Sequence, residues 1–379
     1  MKTRPSQPFK SGYISTLDGW RAIAVLSVIA YHDQVHRMGR LSDATLHRHG
    51  NLGVDLFFAI SGILICSRLL DEEHLHHRIS LKNFYVRRFC RILPPALLFL
   101  FILGVLGMAH VVRVGLAPWV CSLLFANNYY AVFIKNADAS LYTNHFWSLA
   151  IEEHFYLILP GILYLFHKNR VRVLLSMIVV FLVYMLMIHA NPAWLDCMGG
   201  VFADIRTELR INSLLFPALL AILLRKQAFR EFCVRWITPV PTLVVLGIAS
   251  LLLKKLHLGL SELVVVPFGF PFIVISTMLH PKIYLSRLLE IAPLRFLGRI
   301  SYSIYLWQQM FFIGDHFSFR AAWPLSILQA WPWNVVAVIL LATTSFYLVE
   351  KPFIRLGHRL APPATPGRAD LNESPQHPT

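Results

Sequence analysis

Apolar stretches of about 20 residues recur along the whole chain and alternate with short polar segments. A helix of that length can cross a hydrocarbon core roughly 30 Å thick. The pattern therefore predicts an all-α fold, a polytopic transmembrane bundle of about ten spans. The predicted spans are residues 17–37, 52–70, 91–112, 145–166, 171–189, 209–225, 238–256, 262–280, 296–315 and 330–350.

Basic residues concentrate in four short segments at the ends of predicted spans. Positively charged loops stay on the cytoplasmic side of a membrane. With both termini in the cytoplasm, ten spans place all four basic segments on that side, and we predict this topology. The segments are residues 87–91, 167–172, 225–235 and 351–359.

Three further regions complete the predicted organisation. Residues 113–144 are apolar only in part, and a full crossing there would move the basic segment 167–172 to the outside. We therefore predict a half-inserted or interfacial helix on the outer face. Residues 1–12 are expected to be a cytoplasmic N-terminal segment, 13–357 the membrane domain, and 358–379 a polar, Pro-rich tail that should be disordered.

Composition supports a membrane protein rather than two soluble domains. Hydrophobic residues make up 56% of the chain and charged residues 15%, with a mean hydropathy of +0.57. The basic residues behind the net charge of +15 cluster in predicted cytoplasmic loops, which argues against nucleic acid and favours membrane lipid or an anionic ligand. The five cysteines include no Cys-x-x-Cys pair, so neither a disulfide framework nor a zinc ribbon is indicated.

The first predicted span carries polar residues that lipid disfavours. Arg21 and His32 are eleven positions apart, which places them on one face and about 16 Å apart along the helix axis. Asp18 lies one turn before Arg21. Asp18 and Arg21 have an ordinary explanation as interfacial anchors, and a lone histidine near a helix end is more often a packing residue than a catalyst.

Other spans place ionisable side chains at a depth similar to that of His32. With a rise of about 1.5 Å per residue, Glu152 and Glu153 of the fourth span reach a height comparable to that of His32. Because charges inside a membrane should pair, we expect this layer to combine both signs. The second and sixth spans add Asp55, Arg210 and Asn212.

A second group of charges lies near the predicted inner edge. The positive-inside rule alone accounts for many of them. They also fit a binding site for a multiply phosphorylated ligand such as cytoplasmic acyl-coenzyme A, because guanidinium groups bind phosphate oxygens in pairs. The group comprises Arg21, Arg87, Arg88, Arg91, Arg299 and Glu350.

Five blocks, in order along residues 13–355, resemble the acyltransferase family 3 membrane proteins, which move acetyl or other short acyl groups onto exported carbohydrates and related acceptors. The resemblance implies a multi-pass O-acetyltransferase of a bacterial inner membrane, with acyl-CoA, most simply acetyl-CoA, as donor co-substrate and with no bound cofactor or metal. The blocks are LDGWRAIAVLSVIAYH, GVDLFFAISGILI, RRFCRILP, FWSLAIEEHFYL, and ISYSIYLW followed by EKPF.

The same resemblance implies roles for individual residues. His32 would be the catalytic histidine and Arg21 its partner. The residues that would shape the polar core around them are Asp55, Glu152 and Glu153. Those assigned to acyl-CoA are Arg87, Arg88, Arg91 and Arg299. Those assigned to the acceptor or the polar core are Asp18, Arg210, Asn212 and Gln308, of which Asn212 stands where relatives often have Asp and Gln308 where many have His.

The predicted reaction moves an acyl group from cytoplasmic acyl-CoA to a hydroxyl of a cell-surface or exported polysaccharide or glycolipid. His32 would act as general base or as acyl carrier, and a carboxylate would orient its ring. The alternatives are a small-molecule acceptor such as an antibiotic or lipid, and a transporter or flippase that uses the intramembrane charges. Candidate protein partners are a second copy of the chain or polysaccharide-biosynthesis machinery.

Two further expectations concern other domains and metals. The chain lacks the extracytoplasmic hydrolase-like domain that some relatives carry, so we expect the membrane domain to complete or hand over the transfer. A metalloenzyme built on the histidines at 47–49 or 74–77 is disfavoured, because these loop histidines have no matching carboxylate.

Overall fold

Helices are the regular elements throughout the part of the chain that the computed structural model describes. That part comprises residues 13–37, 51–133, 141–255, 265–312, 321–323 and 325–362. The all-α prediction is confirmed for these residues, which contain no strand. The predicted N-terminal segment 1–12 lies outside them. Of the predicted tail, residues 358–360 continue the last helix, and 363–379 lie outside the described residues.

The first half of the chain folds into long helices separated by short ones. The helices are α1 Ser15–Arg37, α2 Asn51–His76, α3 Leu81–Met108, α4 Leu116–Leu123, α5 Asn127–Phe133, α6 Phe146–Leu165 and α7 Arg170–Ala190.

Shorter helices dominate the second half. They are α8 Pro192–Cys197, a 3-10 turn Gly200–Ile205, α9 Thr207–Arg210, α10 Asn212–Leu223, α11 Gln227–Trp236, α12 Pro239–Lys255, α13 Val266–Leu279, α14 Tyr284–Leu289, α15 Ala292–Arg299, α16 Ser301–Phe311, α17 Leu325–Leu328, α18 Trp333–Ser345 and α19 Lys351–Leu360. A π-helical turn, Phe346–Glu350, joins α18 to α19.

Four described helices are long and apolar enough to cross a membrane, which identifies a membrane protein. A fifth crossing results if α11 and α12, bent by 80°, count as one span. Each of the ten predicted segments contains helical residues. Helices α1 and α6 are not among the four membrane-length apolar helices, because polar residues interrupt their apolar sequence. The four are Leu52–His76, Leu81–Met108, Arg170–Ala190 and Trp333–Leu360.

The partly apolar segment 113–144 contains two short helices in its described portion. Helix α4 has 8 residues and α5 has 7, so neither reaches across a hydrocarbon core. Both pack against α6. This arrangement agrees with the prediction that the segment does not form a full crossing.

Helix α2 lies at the centre of the bundle. Its most apolar window is 78% buried, whereas the corresponding window of α7 is 22% buried. It packs against α1, α6, α10 and α13. Three successive carboxylates at its end pair with arginines from three other parts of the chain. The pairs are Asp71–Arg225 at 2.5 Å, Glu72–Arg87 at 2.8 Å and Glu73–Arg170 at 2.6 Å.

These ion pairs bring the predicted basic segments to one end of the bundle. Arg87, Arg170 and Arg225 belong to three of the four segments. The fourth, in α19, packs against α3, and Arg87 donates to the carbonyl of Ala361 at 3.4 Å. All four segments therefore lie on the same side, as the topology prediction requires.

Glycine allows α1 to pack closely against α15. A Cβ added at Gly298 would lie 1.8 Å from the carbonyl oxygen of Asp18. Gly19 makes a similar approach to the backbone of Leu289 in α14, where an added Cβ would lie 2.2 Å from the carbonyl oxygen. These contacts fix the beginning of α1, and with it the position of Arg21.

We expect Gly298→Ala to destabilise the protein, because α1 and α15 would have to separate to admit the methyl group. The loss should be about 1–3 kcal/mol of unfolding free energy, as for other overpacked cores. It can be measured by unfolding the detergent-purified protein. Gly161→Ala is the matched control, since nothing lies within 4 Å of its added Cβ. Equal stability of the wild type and Gly298→Ala would contradict the close contact.

Candidate active site

Helices α1 and α6 contribute opposite charges to one cavity. Arg21 of α1 and Glu152 of α6 line it together. The empty space in the cavity and at its opening to solvent amounts to about 440 Å³. Its polar walls are completed by Ser61, Ser148, Ser301, Tyr302 and Tyr305. The structure thus brings together two of the residues that the sequence assigned to catalysis.

The carboxylate of Glu152 is held by two hydroxyl groups. Ser61 donates to one oxygen at 2.9 Å and Tyr156 to the other at 3.0 Å. Arg21 and Arg88 also interact electrostatically with this carboxylate. Glu152 is therefore fixed in place, with its charge balanced by cations from α1 and α3.

The relative heights of α1 and α6 differ from the sequence-based estimate. Glu152 lines the same cavity as Arg21, whereas His32 lies about 16 Å farther along α1. The estimate assumed that the fourth span begins at the membrane surface. Its first residue, His145, is instead only 3% exposed, because α4 and α5 pack over that end of α6. The prediction that Glu152 lies level with His32 is therefore wrong.

His32 lies about three turns beyond Arg21 on α1 and is partly buried. Its ring contacts the Tyr31 ring edge-on, with the centroids 5.1 Å apart. No hydrogen bond joins its ring to a described residue. His145, which precedes α6, is close enough to His32 to interact with it electrostatically. The structure thus adds an imidazole to the surroundings of His32, and the orienting carboxylate stays a prediction.

Asp55 forms a buried ion pair with Arg210. The two side chains are 2% and 6% exposed, and their closest charged atoms are 2.7 Å apart. Ser213 donates to the second oxygen of Asp55 at 3.2 Å. Asn212 donates to the carbonyl of Ile178 at 3.3 Å. The expectation that charges in this layer pair is confirmed for Asp55 and Arg210.

A second cavity lies at the end of the bundle where the basic segments meet, with about 470 Å³ of empty space inside it and at its opening to solvent. It contains three of the four arginines assigned to acyl-CoA, together with Arg68, which the sequence analysis missed because it lies inside an apolar run. Arg299 does not line it; this side chain is exposed and its Nε donates to the carbonyl of Arg295 at 3.3 Å. The polar residues of the wall are Arg68, Glu72, Arg87, Arg88, Arg91 and His358. We call it the arginine cavity.

Side chains connect the arginine cavity to the cavity around Arg21. The Arg88 guanidinium lies 5.1 Å from the centre of the Tyr156 ring, and Tyr156 donates to Glu152. Glu350, which is 1% exposed, accepts from Ser303 at 2.8 Å and interacts with both Arg91 and Arg21. Charged and hydroxyl groups thus extend from one cavity to the next.

The remaining predicted residues lie around this core. Asp18 accepts a hydrogen bond of 2.5 Å from Tyr13; partial burial, together with this bond, raises the pKa of Tyr13. Glu153 interacts electrostatically with Arg88. Gln308 is buried, and its amide group donates to the side chain of Gln309 at 3.3 Å.

The histidines considered as metal ligands fall into two groups. Residues 47–49 lie outside the described part of the chain, and those at 74–77 are exposed at the end of α2. In the described residues, no three His, Cys, Asp or Glu side chains form a group that could hold a metal ion.

We expect Asp55→Leu to destabilise the protein strongly, because Arg210 would be left as an uncompensated buried charge. The loss should be about 3–5 kcal/mol. The double variant Asp55→Leu, Arg210→Met should recover most of it, since an apolar pair of similar volume carries no buried charge. Unfolding of Asp55→Leu, of Arg210→Met and of the double variant in the same detergent measures the coupling between the two residues. A double variant whose loss equals the sum of the single losses would show that the pair is not coupled.

Comparison with known proteins is consistent with this arrangement. The family described as an acyltransferase domain matches residues 14–351. No solved structure matches the chain.

Three curated relatives that are similar to this chain are longer than it. The putative peptidoglycan O-acetyltransferase YrhL of Bacillus subtilis is 28% identical over 92% of this chain and 56% of its own length. The O-acetyltransferase OatA of Staphylococcus aureus is 27% identical over 94% of this chain and 60% of its own length. The peptidoglycan O-acetyltransferase OatA of Listeria monocytogenes is 27% identical over 91% of this chain and 56% of its own length.

The chain therefore spans little more than half the length of these relatives, and the match covers the helical part described above. Because the family match begins at residue 14 and ends at residue 351, it includes His32, the cavity around Arg21 and all of the arginine cavity except Ile354 and His358. The protein belongs to the acyltransferase domain family.

Proposed function

We propose that the protein is a membrane O-acetyltransferase that moves an acetyl group from cytoplasmic acetyl-CoA to a hydroxyl of a cell-envelope carbohydrate. The observation that carries the proposal is the polar connection from the arginine cavity, through Arg88, Tyr156 and Glu152, to Arg21. Family membership and the carbohydrate named for the relatives, peptidoglycan, support the reaction and the acceptor class.

The arginine cavity suits the donor. Acetyl-CoA carries several phosphate groups, and guanidinium groups bind phosphate oxygens with paired hydrogen bonds. Arg87 is already paired with Glu72 at 2.8 Å, so Arg88 and Arg91 are the side chains that we assign to phosphate. The thioester end of the donor would extend towards Arg21.

The orientation of the protein in the membrane is inferred from the end of the bundle that holds the arginine cavity. The four basic segments meet beside the arginine cavity, and basic loops stay in the cytoplasm. We infer that this end faces the cytoplasm of a bacterial inner membrane, that both termini lie there, and that the ten predicted segments cross or enter the membrane. His32 then lies on the acceptor side, about 16 Å from Arg21.

His32 has two chemically complete roles in the transfer. As a general base, its imidazole takes the proton of the acceptor hydroxyl while the oxygen attacks the acyl carbonyl. The carbon–sulfur bond then breaks, and the proton passes to the thiolate to give free coenzyme A. As an acyl carrier, the imidazole attacks the acyl carbonyl and the carbon–sulfur bond breaks, while the ring proton passes to the thiolate to give free coenzyme A. The acetyl group then passes from the ring nitrogen to the hydroxyl oxygen, and the hydroxyl proton returns to the ring. Both roles require His32 and release one thiol per acetyl group.

We expect His32→Ala to lower acetyl transfer by at least about 100-fold, since positioned acid–base groups contribute that much or more. The assay measures thiol release from acetyl-CoA and ester-linked acetyl on carbohydrate, using the full chain in lipid vesicles. His74→Ala, an exposed histidine at the end of α2, is the control. Wild-type protein that releases no thiol with any carbohydrate acceptor would overturn the proposed function; normal transfer by His32→Ala would overturn the role of His32.

Charge reversal in the arginine cavity should weaken donor binding. We expect Arg88→Glu and Arg91→Glu each to raise the Kd for acetyl-CoA at least about tenfold, because a charge-assisted hydrogen bond contributes roughly 1.5–3 kcal/mol. Arg299→Glu changes the same charge at an exposed site outside the cavity, so its Kd should stay near the wild-type value. Equal Kd values for the wild type and the three variants would mean that Arg88 and Arg91 do not bind the donor and only orient the protein in the membrane.

A further inference from the structure

We propose that His145 is a second catalytic histidine, whose ring N–H donates a hydrogen bond to the oxygen of the acyl carbonyl during transfer. This inference rests on the proposed acyl transfer and assigns the residue that stabilises its negatively charged intermediate. The sequence analysis did not select His145, although it directly precedes the block FWSLAIEEHFYL.

The ring of His145 is buried without a hydrogen-bond partner. The residue is 3% exposed, and neither Nδ1 nor Nε2 bonds to any described residue. Two other histidines of the bundle are paired: His154 with Thr207 at 2.7 Å and His189 with Asp204 at 2.8 Å. Because a buried polar group without a partner is destabilising, a ligand that supplies a hydrogen-bond partner to this ring would be favoured.

Packing nevertheless fixes the orientation of His145. Its carbonyl oxygen accepts hydrogen bonds from Tyr305 at 3.1 Å and from Ser148 at 3.3 Å. Its ring contacts the rings of Phe99, Phe146 and Tyr305, with centroids between 4.9 and 5.7 Å away. The imidazole is therefore held in place through its backbone and its faces, while both nitrogens remain available to a substrate. Such preorganised donors are the ones that stabilise developing charge.

The position of His145 connects the proposed donor path to His32. Ser148 and Tyr305, which hold its carbonyl, also line the cavity of Arg21 and Glu152. On its other side, His145 is close enough to His32 to interact electrostatically. An acyl group that has passed Arg21 would therefore meet His145 before, or together with, His32.

Two imidazoles can divide the chemistry of the transfer. A neutral imidazole has one N–H donor and one acceptor nitrogen. His32 uses its acceptor nitrogen for the proton of the hydroxyl, and the new carbon–oxygen bond places a negative charge on the former carbonyl oxygen. The His145 N–H donates to that oxygen until the carbon–sulfur bond breaks, and the proton from His32 then neutralises the thiolate. Asp55 is unsuited to either role because it is paired with Arg210.

The test compares His145→Ala, His145→Gln and His280→Ala in the full chain in lipid vesicles, with acetyl-CoA and a soluble N-acetylglucosamine oligomer as probes. Loss of one oxyanion donor lowers kcat about 10²- to 10³-fold, and we expect that loss for His145→Ala with an unchanged Kd for acetyl-CoA. His145→Gln retains an N–H donor, and its kcat should be at least about tenfold higher than that of His145→Ala. His280 also has a buried nitrogen without a described partner, at the end of α13, and His280→Ala should keep full activity.

Each outcome decides the assignment. A kcat of His145→Ala within about threefold of the wild type would overturn it, and so would a glutamine variant no more active than the alanine variant. A fall in thermal midpoint or acetyl-CoA affinity that accompanies the lost activity of both variants would show a structural role instead. A wild type that releases no thiol would overturn the proposed function itself, which separates the two failures.

Discussion

The pairing of charges on α2 is the constraint on which the rest of the structure depends. A charge inside a low-dielectric bundle is stable only when an opposite charge or several hydrogen bonds accompany it. Near its beginning, α2 meets this requirement through Asp55 and Arg210. At its end, three carboxylates bind arginines from three separate parts of the chain. These contacts fix α2 relative to α3, α7 and α10, and the other helices pack around it.

Helix α1 is positioned by close backbone contact instead. Gly19 and Gly298 let it approach α14 and α15 so closely that a methyl group would not fit. Its polar side chains therefore occupy fixed heights: Arg21 faces Glu152 in the cavity, and His32 lies near His145. The same packing that stabilises the bundle thus separates the proposed donor end from the proposed acceptor end.

Hydrogen bonding distinguishes groups that support the fold from groups suited to a substrate. Asp55, Glu72 and Glu73 are paired within the described structure, and their removal should act first on stability. Neither nitrogen of the buried His145 ring bonds to a described residue, so its contribution should appear in catalysis. The two carboxylates that the sequence analysis grouped around His32 therefore differ in their surroundings. Asp55 is paired with Arg210 as part of the scaffold, whereas Glu152 lines the cavity together with Arg21.

The sequence by itself determined the helical class, the membrane character, the family blocks, and the choice of His32, Arg21 and the arginines of α3. Hydropathy and helical spacing are local properties, so a single chain reveals them. Only the tertiary structure decided that Glu152 faces Arg21, that Arg299 lies outside the arginine cavity, and that His145 is the neighbour of His32. The physical reason is that relative helix heights depend on contacts between distant segments, such as α4 and α5 over the beginning of α6, which no local pattern specifies.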